Sequence, residues 1–461
     1  MSILQETRTL LAAATEEYRA PADRERLALL ERRLAEPLRL AVAGRVKAGK
    51  STLLNALAGD RLAPTDAGEC TRVVTWYADS HTSRVTAEPY DAPPRQLRFE
   101  RTETAVRVDL ADLAPEQVAR LVVEWPSRGL RTATLIDTPG IGSLTENTAR
   151  RAWDLIAAED EPTPADAVLY LVRHLHLDDV DFLRAFHDDA VSRVNPVNAI
   201  GVLSRADEVG AGRLDAMGSA RDVAARMSAD PTVRRMVQTV VPVAGLLAET
   251  GATLTEAEFA MVSAVARLDV PTAERLLLTV DRFVGPAPEL DLSPEARRHL
   301  LDRFGLFGVR LAVSLVRHRV VGTSSQLAAT LLERSGIDDL RAVLESMFWQ
   351  RADVLKCRSA LLALEGLARS SPGPAATGSS RRSSGSWRPR TRSASCGCWP
   401  RSAPAGSTAG RRCWSRPSAW WAARVCSRRS ASDSPPTPTT APCGRRPRPR
   451  SPAGSAAPRA R

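Results

Sequence analysis

One eight-residue stretch, Gly44-Arg45-Val46-Lys47-Ala48-Gly49-Lys50-Ser51, constrains this chain more than any other. It fits G-x-x-x-x-G-K-[ST], the Walker A phosphate-binding loop. Ahead of it runs Leu38-Arg39-Leu40-Ala41-Val42-Ala43, a short apolar run of the kind a buried parallel strand needs. Behind it, Thr52 to Ala58 has helical character and stops at Gly59. This strand–loop–helix order separates a working phosphate loop from a chance glycine turn. Backbone amides from Gly44, Lys47, Ala48 and Gly49, with those opening the helix at Ser51 and Thr52, would cradle phosphate. Lys50 would neutralise charge on the β- and γ-phosphates, and the Ser51 hydroxyl would ligate Mg²⁺. The chain has three lysines against 61 arginines, and two of the three, Lys47 and Lys50, sit in this loop.

Two further motifs narrow the nucleotide. Asp137-Thr138-Pro139-Gly140 follows the apolar run Thr134-Leu135-Ile136 and fits D-x-x-G. There the Asp holds Mg²⁺ through water and the Gly amide meets the γ-phosphate. Ser204-Arg205-Ala206-Asp207 ends another apolar run, Ile200 to Leu203. It is similar to [NT]-K-x-D, whose carboxylate accepts two hydrogen bonds from guanine N1 and the exocyclic amine. Adenine lacks that donor pair, so Asp207 points to GTP and GDP over ATP. Ser204 stands where Asn or Thr is usual. Arg205 replaces the Lys that covers the base, a task a stacked guanidinium also performs. Val243-Ala244-Gly245 stands where a small-residue loop would offer an amide to guanine O6.

Composition bounds the setting. Residues 371–461 hold 18 arginines and one acid, Asp433, a net +17, while the whole chain carries +11. The first 370 residues are therefore at −6, so the basic balance does not call for a nucleic-acid partner. No basic start precedes an apolar segment, and no window is long and apolar enough to span a bilayer. Seven cysteines lie without metal or disulfide spacing. The expectation is a cytoplasmic protein, peripheral to the inner face of the membrane, from a GC-rich bacterial gene.

Along the chain, residues 1–36 read as amphipathic helices that pack with a later helical bundle. Residues 37–248 alternate strand and helix signals, the mark of an α/β domain with a mostly parallel, doubly wound sheet. Its strands are expected at Val73–Tyr77, Thr134–Ile136, Ala167–Val172, Ala199–Leu203 and Val240–Val243. Residues 85–131 read as strands and loops at the sheet edge. From 249 to 370 helical periodicity takes over. Ser335-Gly336-Ile337-Asp338-Asp339 reads as a helix start, a Ser cap with acids in the first turn. Unbroken to Arg369, that helix would be about 50 Å long and would make an elongated all-α stalk or neck. Several shorter helices in a globular cap are the alternative. Leu306 to Val313 suits either a core or a lipid-dipping surface. His174, His176, Asp178, Asp179 and His187 can be drawn as a metal site, although loop and helix-start residues account for them.

Cys70-Thr71-Arg72-Val73, between the first two motifs, makes a resemblance specific. The Thr-Arg pair, the helical lead-in and the long helical region after the GTPase motifs resemble the dynamin superfamily. Gly44–Leu57 with Ala63-Pro64-Thr65-Asp66, Thr71-Arg72-Val73-Val74-Thr75-Trp76 and Ser204-Arg205-Ala206-Asp207-Glu208 are similar to the actinobacterial isoniazid-inducible dynamin-like proteins. The resemblance covers about residues 1–370. It implies a GTPase that acts on lipid membranes and self-associates, or pairs with a paralogous dynamin-like protein, through its GTPase domains. It also implies that Thr71 ligates Mg²⁺ and orients the attacking water. Eukaryotic dynamins carry Gln-Ser where this loop has Val46-Lys47, positions that help place the water and hold a monovalent cation. Val46 can do neither with its side chain; Lys47 could put its own charge there, replacing K⁺. Two other readings stay open. One is an RNA- or ribosome-associated GTPase of the Era kind, which needs a basic domain after the GTPase domain. The other is a non-hydrolysing, nucleotide-regulated scaffold, which Val46 would permit.

Residues 371–461 read as an Arg/Ser/Pro/Ala-rich disordered tail and a frameshift product. They contain no Leu, Ile, Phe, Met, Tyr, Lys, Glu, Asn, Gln or His, yet carry five Trp and five Cys. A basic disordered arm has no reason to exclude Lys and Glu. Leu and Glu codons of a GC-rich gene, read one base late, give Cys, Trp, Ser and Arg.

Overall fold

The computed structural model describes residues 2–64, 73–102, 105–139, 165–173, 198–211 and 213–370. Helices α1 (Ile3–Glu17) and α2 (Pro21–Ala35) precede β1 (Leu38–Gly44) and α3 (Lys50–Ala58). Then come β2 (Thr75–Asp79), β3 (Arg84–Pro89), β4 (Arg95–Arg101), β5 (Val106–Asp109), β6 (Val118–Trp125), β7 (Ala133–Asp137), β8 (Ala167–Val172) and β9 (Ala199–Ser204). After these lie α4 (Ala216–Ala229), α5 (Pro231–Arg234), β10 (Val240–Val243), α6 (Gly245–Thr253), α7 (Glu256–Ala266), α8 (Val270–Leu276) and α9 (Val280–Val284). The last four helices are α10 (Pro294–Arg317), α11 (Ser324–Ser335), α12 (Ile337–Met347) and α13 (Ala352–Ser370).

The strands form one sheet in the order β10-β9-β8-β1-β7-β2-β6-β3-β4-β5. From β10 to β7 all neighbours are parallel. Every residue of β8 and β9 is buried, which is why their sequences are unbroken apolar runs. Beyond β7 the sheet turns mostly antiparallel: β2 runs against β7, and β3 pairs antiparallel with both β6 and β4. There burial alternates along the strands, as in β6, because one face meets solvent. The parallel strands end on one side of the sheet, at Gly44, Asp137, Val172, Ser204 and Val243. That edge is where ligands of open α/β sheets bind.

The region after β10 is helical, and its first helices pack on the sheet. Leu247 of α6, Val262 of α7, Phe283 of α9 and Leu300, Phe304, Phe307 and Leu311 of α10 share one buried cluster with Trp76, Tyr170 and Leu203 of the sheet. A boundary at 248/249 would cut α6 in two. The run Leu306 to Val313 is core, with Phe307, Val309, Leu311, Ala312 and Val313 buried. A helix does start at Ile337, but its N-cap residue is Gly336, at φ 80°, and not Ser335, which ends α11; Ser335 Oγ still accepts from the Ile337 amide at 3.1 Å. The helix beyond does not run unbroken to 369. It ends at Met347 with Phe348 as its cap, at φ −117°, ψ −56°, passes a 3₁₀ turn, Trp349–Arg351, and resumes as α13. The reason is burial: Phe348 is completely enclosed, joining Leu340, Leu344 and Val42 in the core on the other face of the sheet.

Helix α13 then packs with α1 and α2 through Leu11, Leu27, Leu30, Leu34, Cys357, Ala360 and Leu367. The third lysine, Lys356, is buried here, and its Nζ donates to the carbonyls of Leu34 (3.0 Å) and Glu36 (3.2 Å). It thus satisfies acceptors that the end of α2 leaves open. At the same corner Arg33 is ion-paired with buried Asp166. Among the described residues no helix is long and apolar enough to cross a membrane. The histidines at 174, 176 and 187, with Asp178 and Asp179, lie outside the described residues, as do residues 371–461.

Candidate functional site

The loop between β1 and α3 is shaped by close packing at its root. A Cβ on Gly44 would lie 2.7 Å from the Leu171 carbonyl oxygen, so any side chain there would force β1 away from β8. Gly49 takes a left-handed φ of 90° and turns the chain into α3. Lys50 is buried, and its Nζ donates to the carbonyls of Gly44 and Arg45, both at 3.2 Å. Burial lowers its pKa, partly opposed by the Asp137 charge. A buried ammonium that bends back onto loop carbonyls is poised to exchange them for phosphate oxygens.

Ser51 and Asp137 meet beside it. The Ser51 hydroxyl donates to Asp137 Oδ2 at 2.9 Å, and Asp137 Oδ1 is buried with no hydrogen-bond partner. Burial raises the Asp137 pKa, while Lys50 and Ser51 pull it down. An orphaned carboxylate oxygen next to a hydroxyl is a donor set of the hard, oxygen-only kind that Mg²⁺ takes. Thr138 secures this segment, donating its hydroxyl to the Val42 carbonyl at 2.9 Å. Thr71 and Gly140 lie outside the described residues.

At the other end, Ala48, Gly49, Thr52, Leu171, Val202, Ser204, Arg205, Asp207, Glu208, Val243, Gly245 and Leu246 line one cleft. Ser204 Oγ donates to the Val172 carbonyl at 3.2 Å, tying the reading loop to the end of β8. Arg205 holds a left-handed φ of 52°. Its guanidinium donates to Glu208 Oε1 at 2.7 Å and to the Lys47 carbonyl at 3.2 Å. The two contacts use different nitrogens of the guanidinium fork. Lys47 is also left-handed, at φ 60°, and is exposed. Asp207 is 9% exposed, and burial raises its pKa, with Glu208 adding to the rise and Arg205 opposing it.

The structure thus brings Gly44, Ala48, Gly49, Lys50, Ser51, Thr52, Asp137, Ser204, Arg205, Asp207 and Gly245 to one edge of the sheet. Ala244 is the exception. Its amide donates to the Ser335 carbonyl at 2.9 Å because the end of α11 lies over β10, so it has no hydrogen left for a base. Gly245, at the open start of α6, keeps that position. Sequence reasoning missed Asn55, whose Nδ2 donates to Glu249 Oε1 at 3.0 Å and whose Oδ1 accepts from the Leu62 and Ala63 amides at 3.0 and 2.8 Å. It braces the exit of α3 against α6, and inside an apolar helical run nothing in the spacing marks it.

A model of the dynamin family matches residues 40–186. The isoniazid-induced protein IniC of Mycobacterium tuberculosis is 42% identical over 382 residues, spanning 81% of this chain and 77% of its own length. A bacterial dynamin-like protein of Nostoc punctiforme is 35% identical over 114 residues, 22% of this chain and 16% of its own. A solved oligomerised bacterial dynamin pair aligns over 60% of this chain and 47% of that one, so this chain spans about half of it. The identity there is 15% and the TM-score 0.35.

Proposed function

Because this chain belongs to the bacterial dynamin-like family of the isoniazid-induced protein IniC, we propose that it works on membranes from the cytoplasmic side, remodelling, fusing or maintaining them. The chain is a GTPase of the dynamin family, and guanine nucleotide with Mg²⁺ is what that family uses. The finer assignment is our own. Lys50 holds the β- and γ-phosphates, Ser51 and Asp137 hold Mg²⁺ with Asp137 acting through water, and Thr71 orients the attacking water. Asp207 reads guanine, Arg205 covers the base, and Gly245 offers the amide. The observation that carries this reading is the cleft lined by Ala48, Gly49 and Thr52 of the phosphate loop together with Asp207 and Gly245, with the Ser51–Asp137 pair at the same edge of the sheet. Bound Mg²⁺ would supply charge neutralisation between the phosphates. K⁺ is a further cofactor unless Lys47 stands in for it.

A lipid surface and a second dynamin-like chain are the proposed partners, and no nucleic acid is. The test is co-sedimentation with liposomes combined with GTP turnover. Nucleotide-dependent pelleting with turnover that rises on lipid is the expected result. Turnover without lipid binding would remove the membrane role. We also propose that residues from about 371 onward are an out-of-frame reading of the gene. The DNA translated one base over from near codon 370 should show Leu/Glu helical periodicity, and early stops there would refute it.

A further inference from the structure

Helix α10 contains a break. Within Pro294–Arg317, Gly305 takes φ 63°, ψ 168°, a region open essentially to glycine alone. The interruption leaves carbonyls before it and amides after it without helical partners. The Arg303 carbonyl accepts the Thr250 hydroxyl instead. Arg303 is itself anchored, donating to Glu258 Oε1 and, at 2.9 Å, to Thr253 Oγ1. Beyond the break, Phe307 and Leu311 are locked into the core. Both flanks are fixed, so the geometry at Gly305 is imposed by packing and is not fraying.

The break faces the base end of the cleft. A Cβ placed on Gly305 would lie 3.8 Å from Asp207 Oδ2 and 4.0 Å from Leu246 Cδ1. Gly305 and Leu246 therefore flank the Asp207 carboxylate, which is left 9% exposed. We propose that Gly305 is a specificity-determining residue of the base site, sealing Asp207 so that its hydrogen bonds to guanine form out of water. This rests on the reading of Asp207 as the guanine acceptor. Hydrogen bonds to a charged acceptor are strong, and they strengthen further as the local dielectric falls. A dry carboxylate therefore discriminates sharply for a base that offers both N1–H and the exocyclic amine. Inosine keeps N1–H and lacks the amine, so the ratio of GDP to IDP affinity isolates the effect from the shared phosphate contacts.

The experiment is calorimetric titration of the full chain with GDP and with IDP in the presence of Mg²⁺. Gly305→Ala is strained at φ 63°, ψ 168°, so the main chain beside Asp207 must move and the GDP:IDP preference should fall about tenfold. Leu246→Ala removes the neighbouring wall without straining the backbone and should lower the preference about threefold. Should Gly305→Ala not fold, Leu246→Ala decides. Equal weakening of GDP and IDP, or an unchanged ratio, overturns the proposal. Asp207→Asn tests the premise separately: if it keeps guanine preference over xanthine, the base-site reading fails whatever the other two variants do.

Discussion

At the phosphate end of the site, one stretch of eight residues from the last residue of β1 into the first turn of α3 supplies the loop, the ammonium and the hydroxyl. Among the described residues, only Asp137 and the segment behind it come from elsewhere. At the base end, Ser204–Glu208 comes off β9, Gly245 and Leu246 open α6, and Gly305 interrupts α10. One end is nearly a property of local chain geometry; the other exists only when helices distant in sequence close over the sheet. The first should tolerate disturbance of the helical region and fail through its own residues. The second should degrade by degrees whenever the helices move.

The largest effect expected is at the phosphate end. Lys50→Ala removes the buried ammonium and should weaken GTP more than about a hundredfold, because charge-assisted contacts to two phosphates go with it. Fluorescent-nucleotide titration measures this, and retained binding would mean that the loop amides suffice alone. Next comes the base. Asp207→Asn should weaken GTP about a hundredfold and transfer preference to xanthine nucleotides, since an amide donates where the carboxylate accepted. Equal affinity of the unaltered chain for ATP and GTP would break the division of labour between the two ends.

Lys47 lies between the ends, its carbonyl held by Arg205 and its side chain exposed. Lys47→Ala should lower turnover more than about tenfold, roughly 1.4 kcal/mol of barrier, with partial rescue by K⁺. An unchanged rate, with or without K⁺, would leave Lys47 a solvent-facing residue. The smallest effect is in pH. Asp207 must be ionised to accept both guanine donors, and burial holds its pKa above the ordinary 3.8. Affinity for GDP is therefore full when the carboxylate is ionised and is lost as the pH falls through that raised pKa. The loss should begin at a higher pH than for an exposed aspartate. Binding that stays flat until the ordinary range would show the carboxylate to be wetter than its packing implies.

The phosphate end was legible because its cause is local. Gly44 and Gly49, the buried strand before them and the helix after them are encoded within twenty residues, and backbone sterics do the rest. The parallel strands were legible for a related reason: burial on both faces writes itself as an unbroken apolar run, so β8 and β10 fell where the sequence placed them. Helix existence after residue 245 could likewise be read from periodicity alone. Periodicity does not say which surface a helix will meet, and here that decided everything else. Phe348 breaks the expected long helix because the core on the sheet offers its ring full burial. The Ala244 amide is lost to Ser335 because α11 ends over β10. Gly305 stands against Asp207 only because Arg303 and Phe307 pin the two halves of α10 from either side. Local propensity selects the elements, but long-range burial sets where they bend and which polar groups they consume. This chain's base site is a product of that second step.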